Sequence, residues 1–271
     1  MTDFFKYYTE ISEKIVFNNF DFFHNLSMVI ILIAIVVGLK LLSKVKKENA
    51  RVILKILACI TVLLELSHTF WLYKCGLKDL EKLLPFHICA LNIFFIPYAV
   101  FSKNKFACEY IFSFSIIGGI FGITLPSGVS GSYPIIHYQT IQTFIYHGLL
   151  IFIPIAQIVV KDFMPDIKKI YRVHILFIII AIFVGIFDYV FDENYMFIKY
   201  PPDVYIAKWV YKNLGLGVYT FLFGVICLGG SILVYIPLEI YKKVRLKNEN
   251  KNKNKKIEEI NDKEDIVTIG D

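Results

Sequence analysis

Within the run LPFHICALNIF, a proline, a histidine and a cysteine fall inside five residues of an otherwise apolar stretch: Pro85, His87 and Cys89. A cysteine thiol that loses its proton to a nearby imidazole becomes a nucleophile, so this pairing of residue types points to covalent catalysis. His87 and Cys89 are two residues apart and diverge on a helix, so the base for Cys89 has to come from another segment, with His147 or His137 as the candidates. Further polar side chains recur at helical spacing. Glu65 and His68 are at i, i+3; Gln139, Thr143 and His147 are at i, i+4, i+8, with Gln142 and Tyr146 beside them. Asp188 ends another apolar run and is followed by FDENYMFIKYPPD, which supplies Asn194 and Tyr195. A second chemistry draws on the same residues. His68, His87, His137 and His147, with Glu65 or Asp188, have the donor types for a zinc ion that activates water, although no HExxH is present.

The elements that position these groups follow from hydropathy. The chain has 271 residues, 56% of them hydrophobic, and a mean hydropathy of +0.59, above the apolar share of soluble domains. The apolar residues gather into seven runs, at 26–42, 52–73, 84–101, 106–125, 140–160, 173–191 and 216–241. Each has about the length that crosses ~30 Å of hydrocarbon as a helix, and none alternates with the period of two that a β-barrel needs. The expected fold is all-α, a seven-helix transmembrane bundle over residues 24–241. Residues 1–23 mix charges with aromatic residues and read as an amino-terminal segment at the interface, with no cleavable signal peptide. Residues 242–271 read as a basic, disordered cytoplasmic tail. Five scattered cysteines without a CxxC give no disulfide framework, and no basic-aromatic pattern indicates nucleic acid.

Lysine and arginine set the orientation. The first, third and fifth connections hold Lys44, Lys46, Lys47 and Arg51; Lys103 and Lys105; and Lys161, Lys168, Lys169 and Arg172. Their excess, with the basic start of the tail, puts the carboxyl terminus in the cytoplasm and the amino terminus outside. Five of the six histidines, His24, His68, His87, His137 and His147, then fall at the outer face. Ionisable groups that face lipid cost at least about 2.5 kcal/mol, so Glu65 and Asp188 should face the bundle interior, in an outward polar pocket. Pro85 suits a first helical turn, which makes LPFHIC the outer start of the third span. The glycines of IIGGIFG suit close helix packing, and TLPSGVSGSYPIIH reads as an outer loop able to cover the pocket.

LPFHICALNIFFIPYAV, GGIFGITLP, PIIHYQTIQTFIYHGLLIFIP and ENYMFIKYPPD, in this order, resemble the YwaF-type family of bacterial integral membrane proteins, over roughly residues 20–237. The resemblance implies a seven-helix protein of the bacterial cytoplasmic membrane. Distant animal relatives are regarded as phospholipid acyltransferases with an essential cysteine in an HxC motif. Here that position is Cys89, with His87 beside it and His137 and His147 as the other residues carried over. The first expectation is therefore a lipid acyltransferase that needs no cofactor and has membrane lipids as its partners. A zinc-dependent lipid hydrolase is the second. A non-enzymatic carrier or receptor for a lipid or small molecule is the third, and the chain shows no internal repeat that would favour it.

Overall fold

The computed structural model describes residues 3–11, 15–245 and 247. Among them there is no strand. Helices follow the apolar runs in order: α1 (Phe22–Leu42), α2 (Lys47–Lys74), α3 (Asn92–Ser102), α4 (Lys105–Thr124), α5 (Tyr138–Val159), α6 (Ile170–Phe191) and α7 (Tyr205–Leu233), the last broken by a kink at Gly215, where φ is 82°. Four of these, α1, α4, α5 and α6, together with the stretch Tyr205–Arg245, are long and apolar enough to cross a membrane. Several helix starts are capped by side chains that accept otherwise orphaned amides. Asp21 caps α1, Asn104 caps α4, and His137 Nδ1 accepts from Gln139 N–H at the start of α5.

The helices differ in what surrounds them. On α1 and α6 large apolar side chains such as Ile30, Leu32, Ile182 and Ile186 are exposed, as a lipid-facing surface requires. By contrast α4 is buried from Ala107 to Gly119 and forms the centre of the bundle. A π-helical stretch at Ile111–Ser115 interrupts it, and Ser115 Oγ there donates to the Leu150 carbonyl of α5 at 2.8 Å. Such stretches rotate the following residues relative to a regular helix.

The chain divides into two units, Met1–Ile232 and Leu233–Asp271. In the second, residues 235–245 are helical and Lys242 pairs with Glu239 at 2.7 Å. The expected tail from 242 lies mostly outside the described residues.

Within the first unit the connections gather at two ends. At one, Arg51 grips Asp162 through Nε and Nη2 at 2.9 and 2.6 Å, Lys47 Nζ donates to the Lys161 carbonyl at 2.8 Å, and Asp166 N–H donates to Glu109 Oε1 at 3.0 Å. The basic first and fifth connections meet there. At the other end the amino-terminal segment crosses the bundle as a strap. Its described residues contain one 3-10 turn, Tyr8–Glu10, and no long amphipathic helix. The strap's carbonyls accept from the bundle: Phe4 from Tyr138 N–H at 3.1 Å, Phe5 from Trp71 Nε1–H at 2.7 Å, and Lys6 from His137 Nε2–H at 3.0 Å.

One expectation fails locally. The third apolar run does not begin as a helix at Leu84, because α3 starts only at Asn92. Residues 84–91 are a chain of turns packed between helices. Irregular backbone at membrane depth is tolerated only where protein satisfies its polar groups. Here the Asn92 amide does so, with Nδ2 donating to the Ile88 and Cys89 carbonyls at 3.1 and 3.0 Å, while Tyr146 Oη–H donates to the Cys89 carbonyl at 2.9 Å. Cys89 therefore precedes the helix instead of lying a turn inside it.

Candidate active site

Because residues 84–91 are irregular, His87 and Cys89 face two different neighbourhoods. The Cys89 thiol donates to the Gly118 carbonyl of α4, with Sγ to oxygen at 3.4 Å. Gly118, Gly119 and Gly122 form the face of α4 that meets this segment and α5. A Cβ on Gly118 would stand 3.1 Å from Cys89 Sγ, one on Gly119 2.8 Å from the His147 carbonyl, and one on Gly122 only 2.2 Å from His147 Nε2. The thiol and the imidazole thus lie against consecutive turns of one helix face, occupying space that glycine leaves open.

The hydrogen bonds of His147 fix its tautomer. Nδ1–H donates to the Thr143 carbonyl at 2.8 Å, one turn back on α5, so Nε2 carries the lone pair. No hydrogen bond engages that nitrogen among the described residues. It is a free base beside the glycine face and on the same side as Cys89. Glu65 and His68 of α2 lie near these groups. Glu65 is within electrostatic range of Cys89, Tyr138 and Tyr146, and His68 of His147. The Gln139 side chain faces His68, and its Oε1 is buried. Gln142 Nε2 donates to the Leu64 carbonyl at 3.3 Å and ties α5 to α2. Thr143, buried, contributes the carbonyl that orients His147.

The remaining residues that the sequence singles out lie apart. His87 Nδ1 accepts from Met196 N–H at 3.2 Å, and its ring packs against Tyr195 and Phe197. Asp188 Oδ1 accepts from Tyr195 N–H at 2.9 Å, and the Tyr195 hydroxyl donates to the Leu80 carbonyl. Asn194 folds the next turn, its Oδ1 accepting from Lys199 and Tyr200 amides at 3.0 and 2.9 Å. These four hold the loop after α6 against residues 80–87. His137 has both ring nitrogens bonded to backbone, at Gln139 N–H and at the Lys6 carbonyl, and it stacks on Tyr133. Its burial under the strap pushes the imidazole below its ordinary pKa. His24 is bound likewise, Nδ1 accepting from Phe20 N–H and Nε2–H donating to the Ile123 carbonyl.

Histidines that share one end of the bundle thus divide by role. Two clamp the strap and loop, one holds the loop after α6, His147 lies against the glycine face of α4, and His68 stacks on Trp71. The four imidazoles and two carboxylates considered for zinc do not converge, and no group of three or more His, Cys, Asp or Glu able to hold a metal ion occurs among the described residues. The glycine-rich loop before α5 is engaged with the strap through Gly131 N–H, which donates to the Phe17 carbonyl at 2.8 Å. Reading by spacing passes over Tyr110 and Asn92. The Tyr110 hydroxyl is fully buried, has no hydrogen-bond partner and lies within electrostatic range of Cys89. The signal for Asn92 is visible in the sequence as the one amide of an apolar run, three residues after the cysteine.

An all-helical chain with several apolar spans defines a multi-pass membrane protein. The model of the TMEM164 family matches residues 19–235, and the chain belongs to that family. No curated protein and no solved structure gives a significant match.

Proposed function

We propose that this protein is a membrane lipid acyltransferase with Cys89 as nucleophile and His147 as general base. The observation that carries the reading is the placement of the Cys89 thiol and the unprotonated His147 Nε2 on consecutive turns of the α4 glycine face. In the first half-reaction His147 Nε2 takes the thiol proton as sulfur attacks an ester carbonyl of a phospholipid. The tetrahedral oxyanion collapses, the S–C bond is kept, and the lysophospholipid oxygen leaves with the proton from His147. In the second, a hydroxyl of an acceptor lipid gives its proton to His147 and attacks the thioester, which returns the thiol. Tyr110, with its unused hydroxyl, is the donor available to the oxyanion. Glu65 and His68 shape the polar wall against which the headgroup sits.

The same reading includes seven spans, with α2 and α3 added to the five longer apolar stretches, the amino terminus outside and the carboxyl terminus in the cytoplasm. Its support is that the basic connections meet at the Arg51 end and five histidines lie at the other. The resemblance to YwaF-type proteins supports the bacterial cytoplasmic membrane as the location. Mass spectrometry of lipids from cells with wild-type protein, Cys89→Ala or no protein tests the chemistry. Acyl-exchanged lipids should be present only with the wild type, at equal membrane abundance of both proteins. A fully active Cys89→Ala protein overturns the proposal.

A further inference from the structure

At the end opposite Cys89, a shallow cleft, open on one side, lies between α2, α3, α4 and the start of the α5–α6 connection. Its charged walls are Arg51, Lys55, Lys103 and Asp162. The carboxylate is already engaged, because Arg51 and Lys47 both bind Asp162, at 2.6 and 3.3 Å. Lys55 and Lys103 form no ion pair among the described residues; the Lys55 ammonium stands 5.7 Å from the centre of the Phe101 ring. Three cations against one neutralised acid make the cleft positive.

A second, independent feature sits in its wall. Gln157 is 4% exposed, and its Nε2 donates to Cys108 Sγ at 3.7 Å. The Cys108 thiol proton is itself directed at the Ala99 carbonyl, so the sulfur can only accept and the amide keeps its oxygen on the other side. That oxygen, Gln157 Oε1, is buried without a partner. An unmet buried acceptor is unfavourable, and a ligand that brings an N–H or O–H to it removes that penalty.

The surroundings specify where the ligand comes from. Val52, Ile56 and Phe101 beside Lys55 are exposed, so the cations cap an apolar, lipid-facing surface at the level where headgroups begin. We propose that this cleft is a binding site for a phospholipid headgroup whose phosphate is held by Lys55, Lys103 and Arg51 and whose ammonium or hydroxyl group donates to Gln157 Oε1. Phosphatidylethanolamine and phosphatidylglycerol have such donors. Phosphatidylcholine, with a quaternary ammonium, has none. The site is independent of the reading of Cys89, from which it is separated by the length of α4.

Native mass spectrometry of the full chain, delipidated in detergent and then mixed with one defined lipid at a time, tests this. Phosphatidylethanolamine and phosphatidylglycerol should be retained, and phosphatidylcholine at least about fivefold less. Lys55→Gln with Lys103→Gln should lower retention at least about fivefold, while Lys44→Gln with Lys46→Gln, the same loss of charge at the same end, should not. Equal retention of phosphatidylcholine overturns the proposal. So does an unchanged Lys55/Lys103 variant, or an equal loss in the Lys44/Lys46 variant, which would mean only diffuse attraction to a basic surface. Inorganic phosphate should fail to displace the lipid; complete displacement would assign the cleft to a soluble anion and overturn the lipid assignment.

Discussion

Gly122→Ala is the substitution that most directly probes how the pocket is built. A Cβ there would lie 2.0 Å from His147 Cδ2 and 2.2 Å from Nε2, far inside van der Waals contact. Gly122 is helical and needs no left-handed backbone, so on propensity alone alanine should stabilise α4 by up to about 1 kcal/mol. The clash works against this. The ring has one escape, rotation away from α4, which breaks the 2.8 Å bond from Nδ1–H to the Thr143 carbonyl and leaves that donor without a partner. Overpacking of this kind costs about 1–3 kcal/mol, so the net change should be a destabilisation of about 0–2 kcal/mol. Function should suffer far more, because a displacement near 1 Å at the base costs about 10²-fold in rate. Gly118→Ala is the matched control. Its Cβ would meet Cys89 Sγ at 3.1 Å, a contact relieved by a few tenths of an ångström. Thermal unfolding of the purified proteins, together with acyl exchange measured by lipid mass spectrometry, should give a large loss of transfer for Gly122→Ala and a smaller one for Gly118→Ala. If Gly122→Ala is as active as the wild type and more stable, His147 does not occupy the space opposite Gly122, and the argument for its role fails.

Tyr110→Phe removes a buried hydroxyl that has no partner, so stability should hold or rise by about 1 kcal/mol, and a fall in transfer at unchanged stability would mark a role in the reaction. For Asp162, burial alone would raise the carboxyl, but hydrogen bonds from Arg51 and Lys47 outweigh it and hold the group below its ordinary value. Its contribution to stability is therefore complete above the unfolded value of about 4 and is lost as pH falls through the lower folded value. Thermal midpoints between pH 6 and 3 should show that loss in the wild type and not in Asp162→Asn. His137, held below its ordinary value, stabilises the strap fully above about pH 6.5 and progressively less below it, since protonation turns Nδ1 from an acceptor into a donor facing Gln139 N–H. Hydrogen-exchange protection of residues 4–6, each rate taken relative to the intrinsic rate at that pH, should fall from pH 7.5 to 5 in the wild type and should be low at both values in His137→Ala.

The sequence alone determined the order and approximate extent of the helices, because hydrocarbon admits only long apolar segments with internally paired backbones, and that demand is written locally in composition. It also determined which end of the bundle gathers the basic connections and which gathers the histidines. Glu65, His68, His147 and Cys89 were legible as candidates from residue type and spacing. Which histidine keeps a ring nitrogen open was not, since His137 and His147 are equally plausible on a helical pattern. Only the tertiary structure separates them, by giving both nitrogens of His137 to backbone groups and leaving one of His147 open. The same holds for the irregular stretch around Cys89. A proline-led apolar run reads as a helix start until the Asn92 amide and the Tyr146 hydroxyl take its carbonyls, and those partners come from a turn ahead and from another helix, beyond the reach of any local pattern.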